Sequence, residues 1–408
     1  MTDFSAADHA HMARALRLAE RGLYTTQPNP RVGCVIANGA DIVGEGWHAR
    51  AREPHAEVFA LRAAGERARG ATAYVTLEPC VHFGKTPPCA DAVIEAKISR
   101  VVAACEDPNP RVAGGGFAKL RDAGITVETG LMRDAARELN RGFFSRLERK
   151  RPWVRVKLAS SLDGRTALSN GESKWITSEA SRADVQRWRA RSSAILTAIG
   201  TVIADNPRLT VRLNSLSPDS VEGESWGEGA ARESAWTFPK RHPLTQPSPP
   251  SALGGEGLSM SASQNFQPLR VVLDRAMRTP RDSHLLDGSA PTLIVHGANA
   301  KPDDRFRNAE LVAVSLNEGR LYLNALMTLL AERGVNELQV EAGPKLCGSL
   351  FDADLVDELL LYTAPVLLGD TARPLLAIPE FVSMTAAPRW NVLDRRQIGE
   401  DMRLLLRR

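Results

Sequence analysis

The first 146 residues alternate short apolar runs, typical of strands, with longer segments of helical spacing. Near the start, Ser5 and Asp8 predict a capping box for an amphipathic helix. The apolar face of that helix is formed by Met12, Leu16, Ala19 and Leu23. Further elements are predicted as strands at 31–38, 71–80 and 100–105, helices at 56–70 and 90–98, and a helix, turn and strand over 116–130. Helices alternating with short strands indicate an α/β fold with crossover helices.

A second α/β pattern follows the charged segment 147–154, where we place a domain boundary. The predicted domains are therefore 1–147 and 152–408. In the second domain, strands are predicted at 153–159, 194–200, 270–274, 292–297, 311–315 and 337–343, with helices at about 178–192 and 320–333. The apolar run at 357–369 is interrupted by Pro365, which favours a strand entering a loop over a membrane span.

Residues 214–268 break this pattern because they are rich in proline, glycine and serine and have no hydrophobic period. Such composition buries too little apolar surface to offset the entropy of ordering. We predict a flexible insertion between two strands of the second domain.

Charge and cysteine content restrict the function. The net charge is only +4 over 408 residues and there is no dense basic block, which argues against a nucleic-acid partner. No apolar run has the length of a membrane span, and the amino terminus lacks the regions of a signal peptide. Five sparse cysteines argue against a disulfide framework, so we expect a reducing, cytoplasmic location.

Three residues of types that bind metal, one histidine and two cysteines, lie where helices or loops are predicted to begin. His55 opens a predicted helix, and Cys80 and Cys89 each follow a proline. One imidazole and two thiolates suit Zn²⁺ and leave a fourth position for water, as in catalytic rather than structural sites. Zinc in such a site lowers the pKa of a water molecule to about 7. The sequence therefore predicts a catalytic zinc site.

Glu57 lies two residues after His55, too close to be a well-placed fourth ligand. A carboxylate at this position is suited to take a proton from water and pass it to a leaving amine. The combination of His-x-Glu with prolyl-cysteines is typical of nucleobase deaminases, although eight residues rather than two separate these cysteines. We predict hydrolytic deamination of an amino-heterocycle, with Glu57 as the catalytic acid–base.

The segments HAE (55–57), EPCVHFGKTPPC (78–89) and QPNPRVGCVI (27–36) resemble the riboflavin-pathway branch of the cytidine-deaminase-like family. This resemblance implies a three-layer α/β/α first domain in which the longer cysteine loop is usual. It implies 2,5-diamino-6-ribosylamino-4(3H)-pyrimidinone 5′-phosphate as substrate. By the same resemblance, substrate contacts are expected from Asn29, His82, Lys85 and Thr86, although loop and turn chemistry explains these residue types equally well.

The second half carries weaker chemical signals of its own. No G-x-G-x-x-G motif opens a helix after a strand, so a Rossmann dinucleotide site is not supported. The segment VEAGPKLCGS (340–349) predicts a glycine-rich turn that enters a helix and whose N–H groups are suited to phosphate.

The segments KLASSLDGR (157–165), GESKWIT (171–177) and VEAGPKLCGSL (340–350) resemble riboflavin-pathway reductases, which have a dihydrofolate-reductase-like fold. The resemblance implies NADPH as hydride donor and reduction of the ribosyl side chain to ribityl. The implied cofactor contacts are Ala159, Trp175, Thr201, Asp205, Gly343, Pro344, Lys345, Leu346, Cys347, Gly348 and Ser349. The implied substrate contacts are Ser173, Arg189, Leu209, Arg212 and Glu341. Two of these, Arg189 and Arg212, suit a ribose phosphate through bidentate hydrogen bonds, or else are solvated surface residues. Arg275 departs from the family pattern, where a small polar residue is expected.

Two alternatives belong to other classes of protein. A nucleic-acid or nucleoside base deaminase with an appended nucleotide-binding module would need a basic, aromatic-lined groove near the metal. A structural-zinc scaffold would tolerate Glu57→Gln, whereas an enzyme would lose turnover and keep its zinc. We expect a phosphorylated pyrimidine as the small-molecule partner, no nucleic-acid or membrane partner, and a homo-oligomer.

Overall fold

A computed structural model describes residues 3–81, 87–212, 267–317 and 319–408. Two large sheets organise them, one of five strands between residues 33 and 129 and one of nine strands between residues 153 and 407. The predicted domain limits, 1–147 and 152–408, stay predictions. The predicted insertion, 214–268, lies almost entirely outside the described residues.

The five-stranded sheet has the order β2-β1-β3-β4-β5. Strand β1 is antiparallel to β2 and β3, while β3, β4 and β5 are parallel. The elements of this half are α1 (Ala6–Glu20), β1 (Gly33–Asn38), β2 (Asp41–Trp47), α2 (Ala56–Ala64), β3 (Thr72–Val75), α3 (Cys89–Glu95), β4 (Arg100–Ala103), α4 (Gly115–Asp122), β5 (Thr126–Thr129), α5 (Arg133–Leu139) and α6 (Arg141–Glu148). The predicted capping box at Ser5 and Asp8 begins α1.

Helices cover both faces of this sheet, giving the expected three layers. A Cβ at Gly33 would lie 2.0 Å from the Ala15 carbonyl oxygen of α1, and one at Gly46 would lie 2.3 Å from the Ala56 carbonyl oxygen of α2. Only glycine permits such close approach of helix and strand backbones. The contact at Gly46 fixes the first turn of α2 on the sheet, which is where the candidate metal site begins.

The nine-stranded sheet has the order β11-β10-β9-β8-β14-β6-β15-β18-β17. Its elements and those around it are β6 (Trp153–Ser160), β7 (Arg165–Ala167), α7 (Glu179–Arg191), β8 (Ala194–Ala198), α8 (Ile199–Asp205), β9 (Leu269–Leu273), β10 (Thr292–Gly297), β11 (Glu310–Val314), β12 (Leu316–Asn317), β13 (Arg320–Leu321), α9 (Leu323–Glu332), β14 (Glu337–Val340), α10 (Pro344–Asp352), β15 (Glu358–Thr363), β16 (Arg373–Pro374), β17 (Asn391–Ile398) and β18 (Asp401–Arg407). The strands from β11 to β15 in this order are parallel, and β18 and β17 add antiparallel pairs.

The hydrophobic pattern predicted most of the longer elements, but it did not predict β2 or the short strands β7, β12, β13 and β16, and there are two further differences. The segment 194–200 was expected to be one strand, but β8 ends at Ala198 and α8 starts at Ile199. Helices α5 and α6 and the closing strands β17 and β18 were not predicted. Strands β17 and β18 carry four arginines between them, and this charge hides their alternation. Arg403, for example, is buried and pairs with Asp184 and Asp394.

The two halves meet through buried ion pairs. Arg31 of the first half donates to Glu337 of the second at 2.9 Å, and the two side chains are 4% and 1% exposed. Arg141 of the first half lies 3.6 Å from Glu358 of the second, and the two side chains are 4% and 0% exposed. Among the described residues, no helix is long and apolar enough to span a membrane.

Candidate active sites

His55, Cys80 and Cys89 come together at one end of the first sheet. The His55 Nδ1 atom lies 3.2 Å from the Cys89 sulfur and 3.6 Å from the Cys80 sulfur. The ligand atoms of all three residues lie within 4.8 Å of one another. Tetrahedral zinc with bonds of about 2.0 Å to nitrogen and 2.3 Å to sulfur places neighbouring ligands roughly 3.6 Å apart. The three side chains therefore fit a single zinc ion.

Local backbone structure explains this convergence. His55 is the residue before α2, Cys89 is the first residue of α3, and Cys80 lies in the loop after β3. The Cys89 N–H donates to the Cys80 sulfur at 3.4 Å. Hydrogen bonding from Cys89 and from His55 lowers the pKa of Cys80 to about 4, although burial acts in the opposite direction. A thiolate, the form that binds metal, is thus favoured at Cys80.

Glu57 lies in the first turn of α2 with its side chain buried. Burial raises the pKa of this carboxyl to about 7. Within the described residues, its Oε2 atom has no hydrogen-bond partner, although that atom is buried. A buried carboxyl of near-neutral pKa beside three metal ligands has the properties of a general acid–base.

The sequence interpretation missed the support for Cys80 given by Glu78. The Glu78 carboxylate accepts hydrogen bonds from the N–H groups of Asp107, Gly114, Gly116 and Phe117, at 2.9–3.2 Å. A Cβ at Gly116 would lie 2.1 Å from the Pro79 carbonyl oxygen, so the loop requires glycine there. The sequence signals for this role were the Glu-Pro-Cys motif and a glycine-rich segment further along the chain. Only the fold shows that the Glu78 carboxylate holds that segment.

Asn29 and His48 lie at the edge of the metal site. Asn29 Nδ2 donates to His48 Nε2 at 3.1 Å, and His48 Nδ1 lies 3.2 Å from the Pro54 carbonyl oxygen. The His48 ring meets the His55 ring edge-on at a centroid distance of 5.2 Å. The other expected contacts, His82, Lys85 and Thr86, lie outside the described residues.

In the second half, most of the expected reductase residues lie at or beyond the carboxyl ends of the parallel strands. Ala159 is the second-last residue of β6, Thr201 and Asp205 lie on α8 after β8, and Glu341 follows β14. In open α/β sheets this end of the strands is where ligands bind. Because β8, β14 and β6 are neighbours in the sheet, these residues, which are far apart in the sequence, lie at the same end of it.

Arg189 and Glu341 form a bidentate ion pair with both N–O distances at 2.7 Å. Burial alone would raise the pKa of Glu341, but Arg189 and Lys157 outweigh it and lower the pKa to about 2. Lys157, which the sequence interpretation missed, is half-buried on β6, and burial lowers its pKa. The pattern of strand β6 marked Lys157 only as a polar position, so its proximity to Glu341 required the three-dimensional structure.

The remaining expected contacts differ in accessibility. Trp175 is 70% exposed, with the Arg182 guanidinium 4.4 Å from its ring centre. Leu209 is buried with a positive φ of 48°, while Ser173 is half-buried. Arg212 is exposed, and its N–H donates to Gln186 at 3.0 Å.

The predicted glycine-rich turn at 343–349 requires a correction, since Pro344–Ser349 form the start of α10 and only Gly343 precedes it. Proline at the first helical position explains this, because its missing N–H has no intrahelical role there. Cys347 and Gly348 are buried, and a Cβ at Gly348 would lie 2.0 Å from the Ala377 carbonyl oxygen. Arg275, the departure noted above, donates a hydrogen bond to the Gly319 carbonyl.

Comparison with known proteins identifies both halves. The family model "Cytidine and deoxycytidylate deaminase zinc-binding region" matches residues 5–105, and the model "RibD C-terminal domain" matches residues 152–404. The Riboflavin biosynthesis protein RibD of Escherichia coli is 44% identical over 402 residues, covering 98% of this chain and 99% of the relative.

Solved structures agree over the whole chain. Acinetobacter baumannii RibD has a TM-score of 0.81 at 40% identity, with 98% of each chain covered. A diaminohydroxyphosphoribosylaminopyrimidine deaminase/5-amino-6-(5-phosphoribosylamino)uracil reductase from Thermotoga maritima has a TM-score of 0.77 at 29% identity, again covering 98% of each chain.

The layered fold and the His-Cys-Cys site thus define a zinc-dependent deaminase joined to a reductase. The chain belongs to the RibD family of riboflavin biosynthesis proteins. It is a bifunctional enzyme of that pathway that uses zinc and NADPH, which confirms the predicted fold class, enzyme class and cofactors. These matches favour the riboflavin-pathway interpretation over a nucleic-acid base deaminase or a zinc scaffold.

Proposed function

We propose that the first half deaminates 2,5-diamino-6-ribosylamino-4(3H)-pyrimidinone 5′-phosphate and that the second half reduces the ribosyl group of the product. The name of the Thermotoga maritima relative describes this pair of activities, and the cluster of His55, Cys80 and Cys89 is the observation that carries the first of them. Water adds to the ring carbon bearing the amino group, the carbon–nitrogen bond breaks, and ammonia leaves behind a ring carbonyl.

His55, Cys80 and Cys89 are the proposed ligands of zinc, which supplies Lewis-acid activation of water at neutral pH. Glu57 is the proposed acid–base: its carboxylate accepts a proton from the attacking water and returns it to the departing amine. The unpartnered Oε2 atom and the pKa of about 7 for Glu57 support this role, because both protonation states are accessible near neutrality.

Asn29 is the proposed contact to the edge of the pyrimidine ring. Its amide nitrogen is engaged by His48 beside the metal ligands, so its side chain is held at the edge of the site. His82, Lys85 and Thr86 remain proposed substrate contacts from the resemblance.

In the second half, Arg189, Arg212 and Glu341 are proposed to bind substrate with Ser173 and Leu209, and Lys157 joins them because of its position beside Glu341. NADPH supplies the hydride when bound. Its proposed contacts are Ala159, Trp175, Thr201, Asp205 and the segment from Gly343 to Ser349. Arg189 fixes the Glu341 carboxylate in one orientation through two hydrogen bonds, which preserves a negative charge beside Lys157.

The test is ammonia release from the diaminopyrimidine nucleotide, measured together with zinc content and, in a second assay, NADPH oxidation on the deaminated product. Wild-type protein is expected to release one ammonia per substrate and to oxidise NADPH only with the product. Zinc-loaded protein that releases no ammonia from this nucleotide would contradict the substrate assignment.

We also propose that the protein works in the cytoplasm as a homo-oligomer. The five cysteines are free, as is typical of a reducing compartment. Exposed apolar residues lie on the edge strand β17, at Val392 and Leu393, and in the segment that precedes it, at Val382 and Met384. Light scattering after size-exclusion chromatography distinguishes an oligomer from a monomer.

A further inference from the structure

The segment 25–31 of the first half lies between the metal site and the second half. Its amino-terminal part contacts the loop that leads to His55: the Ala51 N–H donates to the Thr25 carbonyl oxygen at 3.4 Å. Within the segment, the Asn29 N–H donates to the Thr26 carbonyl oxygen at 2.8 Å, which makes a tight turn. These hydrogen bonds link the backbone of Asn29 to Thr26 and the segment to the loop before His55.

On its metal side, the segment presents the Asn29 amide to His48. Because Asn29 Nδ2 donates to His48 Nε2, the His48 proton resides on Nδ1, which donates to the Pro54 carbonyl oxygen. His48 in turn packs against His55. The orientation of the Asn29 amide at the edge of the site therefore depends on where the segment places its backbone.

On the opposite side, residues of the second half hold the same segment. Asn336 Nδ2 donates to Gln27 Oε1 and to the Pro28 carbonyl oxygen, both at 2.8 Å. Ser193 Oγ donates to Gln27 Oε1 at 2.9 Å and accepts from the Asn336 N–H at 3.0 Å. Gln27, Ser193 and Asn336 are all buried. A buried network of this kind is stiff, since each lost bond leaves an unpaired polar group.

We propose that Asn336 and Ser193, although they belong to the reductase half, are positioning residues for the deaminase reaction. They hold Gln27 and Pro28, and through them the Asn29 side chain, at the place where the pyrimidine ring binds. This inference rests on the proposed function of the first half. Asn29 directly follows Pro28 in the chain, so a shift at Pro28 displaces the substrate contact. A misplacement of about 1 Å can reduce a rate by roughly 10²-fold.

The Arg31–Glu337 ion pair holds the same segment but is a poorer probe. Glu337 lies beside Arg31, Arg155 and Arg191, so its removal takes away a negative charge shared by three buried guanidinium groups. Loss of folding would then mask any effect on substrate position. The uncharged amide of Asn336 permits a smaller change.

The decisive variant is Asn336→Asp in the full-length, zinc-loaded enzyme. It keeps the oxygen that accepts from Arg146 Nε at 2.6 Å, but turns an oxygen toward the Gln27 and Pro28 acceptors. A Gln27 amide flip would relieve one of these contacts, while the Pro28 carbonyl has no alternative. We expect the deaminase KM to rise about tenfold, with unchanged zinc content and reductase parameters within about twofold of wild type.

A control variant and a second test variant separate an effect on substrate position from general destabilisation. Asn308→Asp makes the same chemical change away from the interface, where Asn308 Nδ2 donates to the Leu286 carbonyl oxygen at 3.0 Å, and is expected to leave the deaminase KM unchanged. Ser193→Ala removes one donor to Gln27 and is expected to raise the deaminase KM in the same direction. It also decides the question if Asn336→Asp does not fold.

A double-variant cycle with Asn29→Ala completes the test. If Asn336 acts through Asn29, adding Asn336→Asp to Asn29→Ala produces no further rise in the deaminase KM. Additive effects, an unchanged KM in both Asn336→Asp and Ser193→Ala, or a parallel fall of both activities and zinc content would overturn the inference. Absence of ammonia release by wild type would instead overturn the proposed function, and this inference with it.

Discussion

The two candidate sites of this protein are built in different ways. In the first half, three ligand atoms lie within 4.8 Å because a loop and the starts of two helices bring them there. In the second half, the expected contacts are spread along the ends of several strands, and the best-defined feature is an ion pair between two of them, Arg189 and Glu341. A metal site is specified by a few residues at close quarters, whereas a cleft for a cofactor and a nucleotide is specified by sheet topology.

The largest effect is expected from Cys80→Ser and Cys89→Ser. Each removes a thiolate ligand, so zinc is lost and deamination falls below detection. The reductase cleft shares no residue with the metal site, so NADPH oxidation on the deaminated product is expected to persist. Metal analysis with both assays checks this.

Loss of both activities in a folded Cys80→Ser protein, established by its circular dichroism and melting curve, would show that the two sites are not independent.

The next effect in size is that of Glu57→Gln, which keeps the shape of the side chain and removes its acid–base function. We expect zinc to remain bound and ammonia release to fall about 10²- to 10⁴-fold. The reductase again serves as the internal control, and a variant that keeps its zinc and deaminates at the wild-type rate would remove Glu57 from the mechanism.

A smaller effect, confined to the other half, is expected from Arg189→Lys. Lysine keeps the charge but does not reproduce the bidentate hydrogen bonds to Glu341. Reductase kcat/KM is expected to fall about tenfold to hundredfold while ammonia release is unchanged. Arg187→Lys, on the exposed side of α7, is the matched control. Equal losses in the two variants would argue against a specific role for the ion pair.

The smallest effect is expected from deleting about 218–264 and joining the ends with a short linker. The flanks of this segment are already held together, because the Gln267 side chain accepts from the Val211 N–H at 2.9 Å and donates to its carbonyl at 3.1 Å. Both activities are expected to persist. Reductase loss in a folded deletion protein would assign the segment a role in the cleft.

The contrast between the sites also explains what the sequence revealed. His55, Glu57, Cys80 and Cys89 were found because their chemistry is rare and their spacing follows helix starts, which are local features. The role of Glu78 was missed, since its hydrogen bonds reach a loop about thirty residues away whose approach only the folded chain defines.

The second half was harder for the same reason. In the sequence, Lys157 cannot be distinguished from other polar residues on an alternating strand. Only the pairing of β6 with β14 places it near Glu341. The turn expected after Gly343 proved to be helix, because a glycine followed by proline suits a helix start as well as a turn. The expected contacts of the second half came from the resemblance to the reductase family, and local sequence patterns alone did not identify them.

The most direct test of the account is zinc-edge X-ray absorption on the wild-type protein. We expect two sulfur ligands at about 2.3 Å and two nitrogen or oxygen ligands at about 2.0 Å. One of the nitrogen or oxygen ligands should be displaced by a competing anion. Cys89→Ser should lose a sulfur or the metal altogether. Four protein ligands, or a spectrum without sulfur, would contradict a catalytic zinc centre formed by His55, Cys80 and Cys89.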